Sequence, residues 1–91
     1  MTPDQHERLS MLLEEAGEIV QICGKILRHG YDSYDPFDGN MTTNKKLLEN
    51  ELVDLYVIMD KMNAYYDIDL DLNRTRLDEI WKKKLKWTHD Q

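Results

Sequence analysis

The chain has 91 residues, which suffices for one small domain near the lower size limit of a self-sufficient hydrophobic core. Its formal charge of −6 argues against a nucleic acid as the partner, and its single cysteine, Cys23, excludes an internal disulfide and fits a reducing cytoplasm. No apolar run approaches the ~20 residues of a membrane span, and the first residues lack a signal-peptide core. With only two prolines and four glycines, the composition predicts an all-α domain.

The first predicted helix runs from Pro3 to about His29. Thr2 is a suitable N-cap, Pro3 fits the first helical position, and Gln5 completes a capping box. Gly30 is expected to end the helix.

The apolar face of this helix contains carboxylates. At about 100° per residue, the aliphatic residues of the face lie within about 60° of Glu15, and Glu18 lies about 60° to its other side. These aliphatic residues are Leu12, Ile19, Ile22 and Ile26. A lone buried carboxylate costs several kcal/mol in practice, so Glu15 and Glu18 require a proton, a partner or a metal.

The apolar arc of this helix is also wide. It runs from Met11 round to Leu13, roughly 200° by the same helical step, which is more than a two- or three-helix monomer covers. A homodimer or a homotetramer is therefore expected. Gly17 predicts the close approach of a neighbouring helix, and Cys23, on the apolar side, is expected to be a buried, inert thiol.

Residues 31–43 form a loop rich in aspartate, glycine and aromatic residues. It lacks both the Asp-x-Asp-x-Asp-Gly spacing and the closing glutamate of a calcium loop. Two interpretations remain: a plain connection between antiparallel helices, or a lid or base-binding edge in which Tyr31, Tyr34 or Phe37 stacks on a ring.

The second predicted helix starts near Thr43 or Asn44 and ends near Tyr65. Glu51 lies in the middle of its apolar face, and Asp54 follows one turn later. Each of the two helices thus carries an acidic pair at i, i+3 on the side that faces the core.

If the two helices pack antiparallel, four carboxylates converge in an apolar cleft and need cations. Oxygen-only ligands suit Mg²⁺ or Mn²⁺. The alternative is ordinary salt-bridging on amphipathic helices. A di-iron carboxylate site is not supported, because no histidine follows a glutamate at the Glu-x-x-His spacing.

The last third of the chain predicts a loop and a third helix. Residues 67–72 alternate like a strand but have no partner strand, so a loop is expected. Asn73 is a suitable N-cap for a helix that runs to about Thr88. Its spacing predicts the burial of Leu77, Ile80, Trp81 and Leu85. Its lysines form either a solvated face or a contact to a substrate phosphate; they are Lys82, Lys83, Lys84 and Lys86.

Taken together, these elements predict an antiparallel bundle of three to four helices in a single domain, residues 1–91, completed by homo-oligomerisation.

The segment Glu14-Glu15-Ala16-Gly17-Glu18, followed by Glu51-Leu52-Val53-Asp54, resembles the Glu-Glu-x-x-Glu … Glu-x-x-Asp signature of the MazG-like, all-α nucleoside triphosphate pyrophosphohydrolases. The resemblance covers roughly residues 9–62. The sequence around the motif is similar to that of short single-domain members of the kind found in phages. The chain departs from the common pattern at Val53, where many relatives have glycine, a difference that concerns helix packing more than metal ligation.

The resemblance implies an enzyme that cleaves a nucleoside triphosphate between its α- and β-phosphates and releases pyrophosphate. It implies that the matching carboxylates hold Mg²⁺; they are Glu15, Glu18, Glu51 and Asp54. Glu14 is assigned to the catalytic residues in a lesser role, either as an outer ligand of the metal or by orienting a water molecule. The alternative is an ordinary surface glutamate. Lys25 and Arg28 follow Glu18 along the helix and are candidate phosphate contacts, with solvated side chains as the alternative. Tyr56, Trp81 and Trp87 either line a base slot or belong to the core.

Two further functions compete with this one. A phosphoribosyl-ATP pyrophosphohydrolase has a similar acidic helix pair and would reject simple deoxynucleoside triphosphates. A non-catalytic helical dimerisation or regulatory module would bind no divalent metal.

Overall fold

The computed structural model describes residues 1–88, which form three α-helices: α1 (Pro3–His29), α2 (Asn44–Ala64) and α3 (Arg74–Leu85). No strand occurs in this part of the chain, since the pairing of Tyr34 with Thr43 is an isolated bridge. The all-α prediction is confirmed. None of these helices is both long and apolar enough to cross a lipid bilayer.

The start and end of α1 match the caps predicted from the sequence. The hydroxyl of Thr2 accepts a hydrogen bond from the backbone N–H of Gln5 at 3.1 Å, and the Gln5 side chain accepts one from the N–H of Thr2 at 2.8 Å. Gly30 ends the helix with φ of 89°, a left-handed conformation that favours glycine, and donates its N–H to the carbonyl of Ile26 at 2.7 Å.

The first residues of α2 are tied to the end of α1. Thr43 is the N-cap, and its hydroxyl accepts from the N–H of Lys46 at 3.2 Å. Asn44 is buried, and its side-chain amide donates to the carbonyl of Gly30 at 3.1 Å. These bonds close the 31–43 loop and fold α1 and α2 into an antiparallel hairpin.

The facing sides of this hairpin form a thin core. Met62 is its one buried apolar residue among residues 1–88, with 4% of its surface exposed. Half-buried aliphatic residues of both helices extend this core along the hairpin: Leu12, Ile19, Ile22, Ile26, Leu48, Leu55 and Ile58.

The segment that follows α2 is fastened to the start of α1 by an ion pair. The Arg8 guanidinium donates through Nε and Nη2 to the two carboxylate oxygens of Asp67, at 2.5 and 2.9 Å. It also lies 4.6 Å from the centre of the Tyr65 ring. Bidentate geometry and a stacked ring are the contacts for which arginine is suited.

The third helix is present but does not pack as expected. Asn73 caps it as predicted, accepting from the N–H groups of Thr75 and Arg76 at 3.0 and 3.3 Å. The helix ends at Leu85 rather than near Thr88.

The predicted burial of the apolar residues of α3 is wrong for three of the four. Leu77, Ile80 and Trp81 are exposed, and Leu85 is half-buried. The reason is that α3 contacts neither α1 nor α2. Its amphipathic spacing therefore describes a face without a partner in residues 1–88.

The prediction that Cys23 is buried is also wrong, because its thiol lies on an exposed side of α1. Gly17 has no close neighbour in the chain either: a Cβ added there would meet nothing within 4 Å. Both results have one cause. A two-helix hairpin covers only one side of α1, and the remainder of its wide apolar arc faces outwards.

Candidate metal centre

The antiparallel hairpin brings together three of the four predicted metal ligands. Glu15 and Glu18 on α1 and Glu51 on α2 each offer a carboxylate oxygen, and these atoms all lie within 4.8 Å of one another. We call these three residues the acidic cluster. Asp54, the fourth predicted ligand, is exposed and lies outside the cluster.

Two oxygens of the acidic cluster are buried without a hydrogen-bond partner: Oε2 of Glu15 and Oε2 of Glu51. Buried polar atoms in folded proteins almost always have a partner, and an unpaired one costs about 1–3 kcal/mol, more for a charged group. These two atoms are therefore suited to accept a proton or to bind a cation.

Mutual repulsion governs the electrostatics of the cluster. Contact with the carboxylate of Glu51, followed by its charge, burial and the charge of Asp54, raises the pKa of Glu18. Glu18 lowers the pKa of Glu51, but contact with Glu15, burial and the nearby charges outweigh this effect, so the pKa of Glu51 is also raised. Carboxylates this close disfavour one another's charged form.

No basic side chain of residues 1–88 neutralises the cluster. The ion pairs in this part of the chain are Arg8–Asp67, Lys46–Glu49, Arg74–Asp78 and Arg76–Asp71, and none includes a cluster residue. The salt-bridge alternative to a metal site therefore has no support within the described chain.

Glu14 and Arg28 lie apart from the cluster. Glu14 is exposed, about 100° round the helix from Glu15. The Arg28 side chain folds back along α1, so that one guanidinium nitrogen lies 3.4 Å from the position of a Cβ on Gly24. Their predicted roles in catalysis and phosphate binding remain predictions.

Lys25 faces a cleft between the end of α1 and the 31–43 loop. The cleft has a volume of about 380 Å³ and is lined by His29, Tyr34 and Asn44 together with Ser33, Asp35 and Pro36. Seven residues separate Lys25 from Glu18, a rise of about 10 Å along the helix. Lys25 and Tyr34 thus border one cleft, about two helical turns beyond Glu18.

The other aromatic candidates are not gathered into a slot. Tyr56 on α2 and Trp81 on α3 are both exposed and belong to helices that do not touch, and Trp87 is also exposed. In the 31–43 loop, Tyr31 and Phe37 are exposed as well.

The 31–43 loop is ordered by its own aspartates. Asp38 accepts hydrogen bonds from the backbone N–H groups of Thr42 and Asn40, at 2.9 and 3.0 Å, and these bonds lower the pKa of its carboxyl. Asp35 accepts from the N–H of Phe37 at 2.9 Å. The carboxylates of this loop therefore hold its backbone.

Sequence reasoning missed the contacts of Arg8 and of Asn44. Fifty-nine residues separate Arg8 from Asp67, and no local pattern signals a pairing over that distance. Asn44 was recognised only as a helix start, although its buried amide fixes how α1 and α2 meet.

Comparison of the chain with protein-family models, with curated proteins and with solved structures found no match.

Proposed function

We propose that this chain is a Mg²⁺-dependent nucleoside triphosphate pyrophosphohydrolase, which converts a ribo- or deoxyribonucleoside triphosphate to the monophosphate and pyrophosphate. The observation that carries the proposal is the convergence of Glu15, Glu18 and Glu51 within 4.8 Å. The MazG-like sequence signature adds the reaction class.

The residues of the acidic cluster fit a divalent cation. All three offer only oxygen ligands, and two of these oxygens are buried without a partner. Glu15, Glu18 and Glu51 would hold Mg²⁺ or Mn²⁺, with Asp54 at the exposed rim as the remaining ligand. When bound, the ion neutralises charge on the phosphate oxygens and makes a water molecule more acidic.

The other residues of the chain bind and orient the nucleotide in this proposal. Lys25 contacts the terminal phosphates, and Tyr34 borders the same cleft, where a base or sugar would lie. Glu14 assists from the edge of the cluster by accepting a hydrogen bond from water. In the reaction, the oxygen of a water molecule forms a bond to phosphorus, the bridging P–O bond between the α- and β-phosphates breaks, and the monophosphate and pyrophosphate leave while a proton of the water passes to solvent.

We propose further that the enzyme acts in the cytoplasm as a homodimer or homotetramer. The support is the large exposed apolar surface of a chain with a thin core. Leu13, Val20 and Leu27 of α1 and Leu77, Ile80 and Trp81 of α3 are all exposed. Contiguous exposed apolar surface in a soluble protein marks a site of association.

The test is release of pyrophosphate from a panel of ribo- and deoxyribonucleoside triphosphates, with Mg²⁺ and with EDTA. The proposal expects metal-dependent release of pyrophosphate together with the matching monophosphate. Release of single phosphates would contradict it. Metal binding without turnover of any simple triphosphate would favour phosphoribosyl-ATP as the substrate, and the absence of metal binding would favour the non-catalytic module.

A further inference from the structure

The outward side of α1 carries an apolar stripe that residues 1–88 leave uncovered. Its six residues recur at alternating steps of four and three: Leu9, Leu13, Ala16, Val20, Cys23 and Leu27. All six are exposed, and Leu13, Val20 and Leu27 retain 75%, 71% and 88% of their surface. Alternation of four and three is the spacing of a seam between two packed helices. We call these six residues the α1 seam.

The acidic residues of α1 lie away from the seam. At about 100° per residue, every carboxylate of the helix lies at least about 120° from the centre of the seam. These residues are Asp4, Glu7, Glu14, Glu15 and Glu18. Two copies of a chain with a charge of −6 repel one another, and contact through the seam keeps their carboxylates farthest apart. Beside it, Gly17 leaves open space for the backbone of a partner helix.

We infer that the α1 seam binds the α1 seam of a second copy of this chain, with the two helices antiparallel. The pattern is symmetric about residue 18, so it matches itself when its direction is reversed. Leu9 then faces Leu27 of the second copy, Leu13 faces Cys23, and Ala16 faces Val20. Such self-complementarity is what a two-fold interface requires.

Other helices of a second copy fit the seam less well. The seam is about 27 Å long, whereas the apolar stripe of α3, from Leu77 to Leu85, extends only about 12 Å. On α2, the exposed apolar patch extends only about 8 Å, and Glu49 and Lys45 precede it by one and two turns; its residues are Leu52, Val53, Tyr56 and Val57. Among the three helices of residues 1–88, another α1 is the one that offers an apolar surface of matching length.

This interface leaves the acidic cluster accessible. On the same helical wheel, Glu18 and Lys25 lie about 180° and about 160° from the centre of the seam. The inference rests on the proposed homo-oligomer for its partner but not on the pyrophosphohydrolase activity. Association and turnover are measured separately, so the failure of one is distinguishable from the failure of the other.

A disulfide cross-link tests the register. The Leu13→Cys variant should form a covalent dimer on mild oxidation with oxidised glutathione, because its new thiol faces Cys23 of the second copy. Wild type should not cross-link, since antiparallel packing separates its two Cys23 residues by about 15 Å. The L13C/C23S double variant should lose the cross-link. Cross-linking of wild type would indicate a parallel seam, and a dimeric Leu13→Cys variant that does not cross-link would place the interface elsewhere; either result overturns the inference.

Light scattering tests the seam independently. Val20→Glu adds a charge where two copies would meet, and should convert a dimer to a monomer at micromolar concentration with unchanged helix content, because Val20 makes little contact within its own chain. Gln21→Glu adds the same charge about 120° from the seam and should remain dimeric. A monomeric wild type, or a Val20→Glu variant as dimeric as Gln21→Glu, would contradict the inference.

Discussion

At the scale of single residues, the acidic cluster combines charge repulsion with buried atoms that have no hydrogen-bond partner. Glu15, Glu18 and Glu51 repel one another, and two of their oxygens are buried without a partner. Such an arrangement costs folding free energy in the absence of a cation. Residues that destabilise a fold in this way are typical of binding and catalytic sites.

This cost predicts that Mg²⁺ and the removal of one charge each stabilise the fold, and that removing the charge abolishes most of the effect of Mg²⁺. In EDTA, Glu51→Gln should raise the Tm, because a neutral amide relieves the repulsion. With Mg²⁺ at about 100 times its Kd, binding stabilises wild type by about 2.7 kcal/mol, which corresponds to a Tm increase on the order of 10 °C for a domain of this size. Calorimetry of Glu51→Gln should show most of this increase lost.

Glu49→Gln is the matched control for that measurement, since Glu49 lies exposed on the same helix and pairs only with Lys46 within the described chain. Its Tm should rise with Mg²⁺ as that of wild type does. A wild-type Tm that does not respond to divalent metals would contradict the metal centre.

The pair of Arg8 and Asp67 predicts a pH dependence of stability. Hydrogen bonding to the Arg8 guanidinium lowers the pKa of Asp67 below its usual 3.8. The stabilisation is therefore fully present above pH 3.8 and is lost as the pH falls through the lowered folded-state pKa. Asp67→Asn should unfold at lower urea concentration than wild type at pH 7, and the difference should shrink in strong acid. A difference that stays constant down to pH 2 would show that the ion pair is not its cause.

At the scale of the elements, the α1–α2 hairpin depends on few buried contacts. Met62, 4% exposed, is the one buried apolar residue among residues 1–88. Replacing a buried methionine by alanine removes contacts and leaves a cavity. In so thin a core little else compensates for that loss.

Met62→Ala should therefore lower the free energy of unfolding by about 2–5 kcal/mol in urea denaturation. Val53→Ala, at an exposed position of the same helix, should change it by no more than about 0.5 kcal/mol. Equal effects of the two substitutions would mean that the core is elsewhere.

The lack of a packing partner for α3 predicts that its backbone amides are less protected from exchange than those of α1 and α2. A 12-residue helix without a packing partner is marginally stable in water. The amides of α3 should exchange with solvent much faster than those of α1 and α2, as measured by hydrogen–deuterium exchange at neutral pH. Protection of α3 equal to that of α2 would show that a partner covers it in solution.

The helices were predictable because their signals are local. The capping box of Thr2 and Gln5, the terminating Gly30 and the N-cap Asn73 all act within one turn of the helix. The convergence of Glu15 and Glu51 also followed from spacing, because one antiparallel contact between amphipathic helices aligns their faces.

What the sequence left undetermined depends on distant contacts. Periodicity identifies an apolar face but not what covers it, so Cys23 and Trp81 were assigned to a core from which the fold excludes them. Asp54 follows Glu51 by three residues but is exposed and lies outside the cluster, and its spacing alone did not indicate this. The Arg8–Asp67 pair required knowledge of where the chain returns after α2.

At the scale of the whole molecule, charge and apolar surface are separated. The acidic cluster opens on one side of the hairpin and the α1 seam lies on the other, while α3 carries five basic and two acidic residues in a chain with a net charge of −6. An acidic protein that acts on a triphosphate needs cations at the point of contact. In this account the metal and Lys25 provide them.

The most direct test of the central claim is the initial rate of pyrophosphate release by Glu51→Gln and Glu49→Gln, side by side with wild type, on the best triphosphate of the panel with saturating Mg²⁺. The account predicts that Glu51→Gln loses at least about 100-fold in rate, the scale on which a transition-state electrostatic contact acts, while Glu49→Gln retains the wild-type rate. Circular dichroism should show the same helix content in all three. A Glu51→Gln variant as active as wild type would contradict the claim that the acidic cluster is the catalytic centre.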